Sequence, residues 1–215
     1  MTEYKYLLFD LDGALTLSHY GIFSCAKYAL EKLGKPIPSD ELLGKIIGPP
    51  LFHWFKSVYG MSEEEAEKAV QYYREKYKAG GMYENKPQPH ALEILKSVKK
   101  AGYKTALATA KPKQFADAIA EKFGFLPYFD IRGVATFDKG SDKKFVVGEI
   151  LRLFGAEKEE CLMIGDRSDD ILGARAHGVD AAAVRIGYAE KGELEEASPK
   201  YIFDDLVELE KFLVK

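Results

Sequence analysis

Cysteine is scarce in this chain: two of its 215 residues, Cys25 and Cys161, stand far apart in the sequence. Neither belongs to a Cys/His cluster with zinc-ligand spacing, and two cysteines in a chain of this length exclude a disulfide scaffold. Both lie among apolar residues, so we expect buried free thiols. A chain of this size can bury a core without such cross-links.

An excess of basic charge is also missing. The 31 lysines and arginines are balanced by 34 aspartates and glutamates, which gives a net charge of −3. Nucleic acid partners normally require a basic excess or stripe, so we predict no nucleic acid partner. No apolar run approaches the ~18 residues of a transmembrane helix, and we see no signal region, which predicts no membrane partner. We therefore expect a cytoplasmic enzyme, either a monomer or a weak homo-oligomer.

What the chain does contain is an alternation of short apolar strands with amphipathic helices. The strand candidates are Tyr4–Phe9, Lys104–Ala108, Cys161–Ile164 and Ala181–Ile186, with a weaker one at Ile131–Val134. Helical spacing of apolar residues is found at Ala91–Lys100, Lys113–Phe123 and Lys144–Phe154. This alternation predicts an α/β fold with a parallel sheet, in which ligands bind beyond the carboxyl ends of the strands.

An all-helical insert interrupts the alternation after the first strand. Ser62 and Glu65 have the spacing of a capping box, and two glycines end the helix that follows them. The predicted helices of the insert are Ile22–Leu33, Asp40–Ile47, Leu51–Tyr59 and a long helix from Ser62 to Lys78. We therefore predict a core domain at 1–15 and 86–215 and a helical domain at 16–85.

Acidic side chains follow two of the predicted strands. Asp10 and Asp12 come directly after the first one, and their spacing puts both carboxylates on the same side. Asp166 and Asp170 follow a later strand. Like charges at a buried strand end are costly without a counterion, and carboxylate oxygens are ligands that Mg²⁺ prefers. The structural alternatives are a solvated Asp-x-Asp-Gly turn and an acidic cap on the helix expected near Ile171.

Two further polar residues have positions that suit an anionic ligand. Thr109 closes the predicted strand Lys104–Ala108 just before a helix, and a hydroxyl beside a helix N-terminus can hold an anion. Lys143 opens a helix, where a cation opposes the helix dipole, and this conflict indicates another role for it. A turn-forming threonine and a solvated lysine explain each residue when it is taken alone.

In this order the four motifs resemble those of the haloacid-dehalogenase superfamily of phosphatases. They read Phe9-Asp10-Leu11-Asp12-Gly13-Ala14-Leu15-Thr16, then Thr109, then Lys143, then Gly165-Asp166-Arg167-Ser168-Asp169-Asp170-Ile171. The resemblance covers essentially the whole chain and is greatest to the phosphoglycolate-phosphatase-like and bacterial 5′-nucleotidase-like branch. It implies a Rossmann-like parallel-sheet core that is catalytic, with a small all-helical cap domain inserted after the first strand.

The resemblance also implies an activity, the Mg²⁺-dependent hydrolysis of a small phosphorylated metabolite through an aspartyl-phosphate. Asp10 is then the nucleophile and Asp12 the general acid and base. Mg²⁺ is expected to bind to Asp10, to the carbonyl of Asp12 and to Asp166. Asp170 completes this metal set, either through water or by supporting the other ligands. The candidate substrates are nucleoside monophosphates, phosphoglycolate, sugar phosphates and pyrophosphate.

Four residues are expected, from the same resemblance, to hold the phosphoryl group. The side chains of Thr109 and Lys143 bind its non-reacting oxygens, together with the backbone amides of Leu11 and Ala110. Lys144 is adjacent, so the assignment to Lys143 depends on matching Lys-x-x-Val-Val to the pattern of the family.

The chain departs from the family pattern at three positions, one of which is near Leu17, where an acidic residue is frequent in the family. Ala14 stands where threonine is usual, which predicts a looser turn and lower activity, and His90 stands where relatives often have glycine. A phosphomutase of the same superfamily and a degenerate, non-catalytic phosphate-binding or regulatory protein stay open as alternatives. A signalling receiver domain is disfavoured because such domains lack a helical insert and carry their acceptor aspartate on a later strand.

Cys161 and Arg167 match the Cys-x5-Arg signature of cysteine phosphatases, and we reject this match. That chemistry needs a loop of backbone amides and a thiol with a lowered pKa. Here the residues after Cys161 form a predicted buried strand, and the carboxylate of Asp166 repels a phosphate.

Overall fold

The computed structural model of the protein describes residues 4–136 and 142–214. The chain divides into two compact units, Met1–Thr16 with Pro87–Lys215, and Leu17–Lys86. The chain passes from one unit to the other at 16/17 and again at 86/87, each one residue beyond the predicted boundaries at 15/16 and 85/86.

Seven β-strands and ten α-helices occur in the described part of the chain. The strands are β1 (Tyr6–Phe9), β2 (Thr16–Leu17), β3 (Lys86–Pro87), β4 (Lys104–Leu107), β5 (Cys161–Gly165), β6 (Asp180–Val184) and β7 (Tyr201–Phe203). The helices are α1 (His19–Lys32), α2 (Asp40–Gly44), α3 (Leu51–His53), α4 (Glu63–Lys78), α5 (Ala91–Lys100), α6 (Lys113–Lys122), α7 (Lys143–Phe154), α8 (Ser168–Arg175), α9 (Glu193–Ala197) and α10 (Leu206–Leu213). Strands β2 and β3 pair with each other as a small separate sheet.

A five-stranded sheet with the order β4-β1-β5-β6-β7 forms the centre of the first unit, and all four neighbouring strand pairs in it are parallel. The predicted α/β class with a parallel sheet is therefore confirmed. Strands β1 and β5 are buried along nearly their whole length, as expected for central strands covered on both faces. The register pairs Phe9 with Leu107 on one side and with Ile164 on the other, so these three strands end level with one another.

The second unit is helical in the residues described, apart from the short strand residues at its two crossings. Helices α1 and α4 pack against each other, and α4 begins with the predicted capping box of Ser62 and Glu65. The predicted helix Leu51–Tyr59 is instead the single turn α3 followed by a π-helical turn at Trp54–Val58. Trp54 is fully buried and its indole N–H donates to the Leu42 carbonyl at 3.1 Å, so this aromatic segment belongs to the core of the unit.

Two parts of the sheet differ from the prediction. The weak strand candidate Ile131–Val134 is wrong: Ile131 makes an isolated bridge to Ala106, and the segment forms no further ladder. Strand β7 was not indicated by the sequence because it is a three-residue strand at the sheet edge and only half-buried. In the ranges 4–136 and 142–214, no helix is long and apolar enough to cross a membrane.

The backbone at His90 has a conformation that favours glycine, and this gives a testable prediction. The backbone there is left-handed, with φ of 68°, and the His90 ring contacts the Glu210 carboxylate of α10. Both His90→Ala and His90→Gly lose this contact, but only alanine retains the left-handed strain. We expect His90→Gly to be more stable than His90→Ala by about 1 kcal/mol in urea unfolding. Equal stabilities would contradict the strain argument.

Candidate active site

Strands β4, β1 and β5 deliver the predicted site residues to one edge of the sheet. Asp10 follows β1, and its backbone N–H donates to the Ile164 carbonyl of β5 at 2.9 Å. Thr109 follows β4 and Asp166 follows β5. All three side chains are buried. Because the three strands end level with one another, motifs that are far apart in the sequence form one cluster.

Three buried carboxylates form the centre of this cluster. One oxygen from each of Asp10, Asp166 and Asp170 lies within 4.8 Å of the other two. Asp12 is not part of this group of carboxylates, and its predicted contribution to the metal through the backbone carbonyl stays a prediction.

Lys143 lies among the carboxylates at the start of α7. Its ammonium donates to Asp10 Oδ1 at 2.6 Å and to the Ala108 carbonyl at 2.9 Å, and it is 2.7 Å from Asp170 Oδ1. The helix begins here because the Asp142 carboxylate accepts the N–H of a residue in its first turn. The neighbouring Lys144 is exposed. The cation that opposes the helix dipole is thus balanced by two buried carboxylates.

The Asp166 carboxylate sits in a pocket made by backbone. Its Oδ2 accepts the Tyr188 N–H at 2.7 Å, while its Oδ1 is buried without a hydrogen-bond partner. A methyl group on either Gly13 or Gly187 would overlap this carboxylate. The two glycines therefore allow backbone to approach Asp166 from two loops, and one buried oxygen is left available for a ligand.

Asp170 caps a helix, as one of the predicted alternatives had it, and it also lies in the carboxylate cluster; its predicted role as a metal ligand stays a prediction. Its Oδ2 accepts the backbone N–H groups of Asp166 and Arg167, at 3.0 and 3.1 Å, so it caps the start of α8. Its Oδ1 forms the ion pair with Lys143 and belongs to the carboxylate cluster. Helix α8 begins at Ser168, three residues before the predicted start near Ile171.

Asp12 and Thr109 lie beside the cluster and share a neighbour that the sequence did not indicate. The Asp12 Oδ2 is 3.0 Å from the ammonium of Lys111, in an ion pair that is largely buried. The backbone N–H of Lys111 donates to the Thr109 hydroxyl at 3.2 Å. The turn after β4 therefore supplies both a hydroxyl and a cation to the site.

The cluster has more negative than positive charge. Among the ion pairs described, the carboxylates of Asp10, Asp166 and Asp170 are balanced only by Lys143, while Asp12 has Lys111 as a separate partner. Burial and the neighbouring carboxylates raise the pKa of Asp10 to about 7, although Lys143 opposes the rise. Burial, followed by Asp170 and Asp10, raises the pKa of Asp166 well above its ordinary value. Burial alone would lower the pKa of Lys143, but Asp10 and Asp170 raise it.

The loop that carries Asp10 and Asp12 is braced by a hydroxyl other than the one usual in the family. Ala14 is fully buried, and the Thr16 hydroxyl donates to the Leu11 carbonyl at 3.1 Å. This bond crosses the turn where the sequence predicted a looser loop.

Other residues around the site were also missed by sequence reasoning. Glu193 accepts hydrogen bonds from Arg167 Nε and from the Ser168 backbone N–H, both at 2.8 Å, and so braces the loop between Asp166 and Asp170. Gly13, Gly187 and Tyr188 approach Asp166 from other loops, and the Gln88 side chain joins these loops by donating to the Gly13 and Ile186 carbonyls. Gly13 and Gly187 could have indicated close backbone contacts in these loops, but the residue that they contact is far away in sequence.

Cys161 is buried in β5, as predicted for a core thiol. Burial, with a smaller effect from Glu160, raises the pKa of its thiol to about 12. Because a cysteine nucleophile needs a lowered pKa, the structure agrees with the rejection of the Cys-x5-Arg match.

The fold and the carboxylate cluster agree with a family assignment. A model of the haloacid dehalogenase-like hydrolase family matches residues 7–184, which is most of the chain. The chain belongs to this family. The predicted resemblance, including its phosphoglycolate-phosphatase-like and 5′-nucleotidase-like branch, is confirmed, and so is the prediction of an enzyme of the hydrolase class.

Individual relatives match over nearly the whole length of the chain. The 5′-nucleotidase of Pseudomonas aeruginosa is 37% identical over 212 residues, which are 98% of this chain and 96% of that protein. The tyrosine-protein kinase PtkA of Mycobacterium tuberculosis is 35% identical over 193 residues, 89% of this chain and 66% of that one. A crystal structure of a predicted phosphatase from Clostridium acetobutylicum has a TM-score of 0.92 at 36% identity and covers 98% of both chains.

Proposed function

We propose that this protein is a Mg²⁺-dependent phosphatase that hydrolyses small phosphomonoesters through an aspartyl-phosphate on Asp10. The observation that carries the proposal is the buried cluster of Asp10, Asp166 and Asp170, with oxygens within 4.8 Å and Lys143 paired to two of them. The names of the relatives support a phosphatase, and that of the Pseudomonas 5′-nucleotidase supports nucleoside monophosphates as substrates. Phosphoglycolate and sugar phosphates are the other candidates.

The residues of the cluster fit a divalent cation. When all three carboxylates of the cluster are ionised, they leave an excess of two negative charges against the Lys143 ammonium, which one divalent ion would neutralise. The ligands offered are carboxylate oxygens, the type that Mg²⁺ prefers, and Asp166 Oδ1 is buried without a partner. We assign Asp10 and Asp166 as side-chain ligands, with Asp170 and the Asp12 carbonyl completing the set. When bound, Mg²⁺ would reduce the repulsion between the carboxylates and a phosphate.

In the first half of the proposed reaction, a carboxylate oxygen of Asp10 attacks phosphorus and the bond to the leaving oxygen breaks. Asp12 enters this step protonated and gives its proton to that oxygen, so the alcohol leaves, the phosphoryl group stays on Asp10 and Asp12 becomes a carboxylate. Lys111, 3.0 Å from Asp12 Oδ2, keeps the Asp12 carboxylate at the site.

In the second half, water attacks the phosphorus and Asp12 takes the proton of that water. The bond between phosphorus and the Asp10 oxygen breaks, which restores the carboxylate and releases inorganic phosphate. The Thr109 hydroxyl, the Lys143 ammonium and the amides of Leu11 and Ala110 are proposed to hold the non-reacting oxygens throughout. Every residue in this mechanism lies in the α/β unit, which we propose as the catalytic core, with Leu17–Lys86 as the cap domain.

The first test is phosphate release from p-nitrophenyl phosphate. We expect release in the presence of Mg²⁺, complete loss with EDTA because the carboxylate repulsion is then unrelieved, and recovery when Mg²⁺ is added back. Colorimetric detection of nitrophenolate gives the rate. Turnover that persists in EDTA would contradict the proposed ligand set. A panel of nucleoside monophosphates, phosphoglycolate and sugar phosphates then ranks the substrates.

The same preparation distinguishes the alternatives. Transfer of phosphate between sugar hydroxyls without net release would identify a phosphomutase, and absence of both reactions would indicate a non-catalytic phosphate-binding protein. Because one relative is named a tyrosine-protein kinase, the protein is also incubated with labelled ATP and a tyrosine-containing polymer. Labelled tyrosine without phosphate release would replace the phosphatase proposal.

A further inference from the structure

Gln88 is a buried amide side chain that the proposed mechanism does not use. Its Nε2 donates to the Gly13 carbonyl at 2.7 Å and to the Ile186 carbonyl at 2.9 Å. Its own backbone N–H donates to the Leu15 carbonyl at 2.9 Å. This residue therefore ties the loop after β1 to the loop after β6, with 5% of its surface exposed.

The two loops that Gln88 joins are the ones that enclose Asp166. A side chain on Gly13 in one loop, or on Gly187 in the other, would overlap the Asp166 carboxylate. The second loop also supplies the Tyr188 N–H that bonds Asp166 Oδ2. The distance between the loops thus decides how closely the Asp166 carboxylate is held.

We infer that Gln88 is a positioning residue for divalent-cation binding, because it holds the two loops in the arrangement that fixes Asp166 as a ligand. This inference rests on the proposed metal site. It assigns to Gln88 an effect on the affinity for the ion and no contact with the substrate or the reacting atoms.

The chemistry of the amide suits this role. A primary amide has two N–H donors, and here they match two backbone carbonyls on different loops. Methionine has nearly the same length and shape but no donor, so Gln88→Met leaves both carbonyls without this partner in a buried place. The loops can regain partners for these groups only by moving, and such movement displaces the walls of the Asp166 pocket. Residues that orient metal ligands in this way commonly change metal affinity by about 10- to 100-fold.

The experiment measures ion binding directly, without substrate. Mg²⁺ and Mn²⁺ are titrated into the wild-type protein and into Gln88→Met by isothermal calorimetry. We expect the dissociation constant to rise by roughly tenfold or more in the variant. Gln88→Asn keeps an amide on a side chain that is one methylene shorter, so it cannot reach both carbonyls. It is expected to give an intermediate rise, and it is the milder variant if Gln88→Met does not fold.

Two control variants separate positioning from a general loss of stability. Gln114→Met makes the same substitution on the exposed surface of α6, and it is expected to leave both stability and affinity unchanged. Leu209→Ala removes a fully buried side chain from α10, and it is expected to lower the unfolding midpoint without changing the dissociation constant.

The outcomes distinguish this inference from the proposed function. If the wild type binds the ion and both Gln88 variants bind it equally tightly, the positioning role is overturned. It is also overturned if Leu209→Ala weakens binding as much as Gln88→Met does at equal stability. If the wild type binds neither ion, the proposed metal site itself fails, and the inference fails with it.

Discussion

Replacement of Asp10 by asparagine is expected to reduce phosphatase turnover by at least about 10³-fold, since it removes the nucleophile of the proposed reaction. The amide cannot form the acyl-phosphate bond at a useful rate. Folding is expected to remain intact, because Asp10 lies with Asp166 and Asp170 in a cluster with excess negative charge. The substitution removes the repulsion between Asp10 and the other two carboxylates, and Lys143 keeps its ion pair with Asp170. The measurements are initial rates with p-nitrophenyl phosphate and Mg²⁺, together with thermal unfolding.

Asp169→Asn is the matched control for this prediction. It makes the same chemical change on an exposed residue beside the cluster, so its turnover and unfolding midpoint should equal those of the wild type. Turnover of Asp10→Asn close to that of the wild type would remove Asp10 from the nucleophile position. Equal losses in both variants would indicate an effect of net charge and not of the carboxylate on Asp10.

The parts of the site that could be predicted are those in which a local pattern determines the position. An apolar run followed by Asp10 and another followed by Asp166 mark strand ends, and parallel strands bring such ends to one edge of the sheet. Lys143 was indicated by its conflict with the dipole of α7. In each case a few neighbouring residues indicate the position of the functional side chain. The order of the strands adds only that these positions lie close together.

The parts that could not be predicted depend on contacts between distant segments. Gln88 is separated by 75 residues from Gly13 and by 98 from Ile186, and neither partner has a side chain that marks it as an acceptor. Lys111 is close to Thr109 in sequence, but its pairing with Asp12 depends on how the turn after β4 lies against the loop after β1. Backbone carbonyls and turn geometry leave no pattern in the sequence.

Lys143→Met is expected to affect both stability and activity strongly. The ammonium is 2.6 Å from Asp10 Oδ1 and 2.7 Å from Asp170 Oδ1, and it is buried with them. Loss of one partner from a buried ion pair typically lowers the free energy of unfolding by about 3–5 kcal/mol, because the remaining charge is left uncompensated. Turnover should fall by about 10²-fold or more, since a cation beside the phosphoryl group is lost. Urea unfolding without metal and initial rates with Mg²⁺ test the two effects.

Lys144→Met is the matched control for Lys143→Met, since it changes the adjacent lysine, whose side chain is exposed. It should unfold and turn over like the wild type. If Lys144→Met loses stability and turnover while Lys143→Met loses neither, the assignment within this pair is wrong. Mg²⁺ should recover part of the stability lost in Lys143→Met, because a divalent ion replaces positive charge that the carboxylates have lost. If Mg²⁺ recovers none of the stability lost in Lys143→Met, the ion binds away from Asp10 and Asp170.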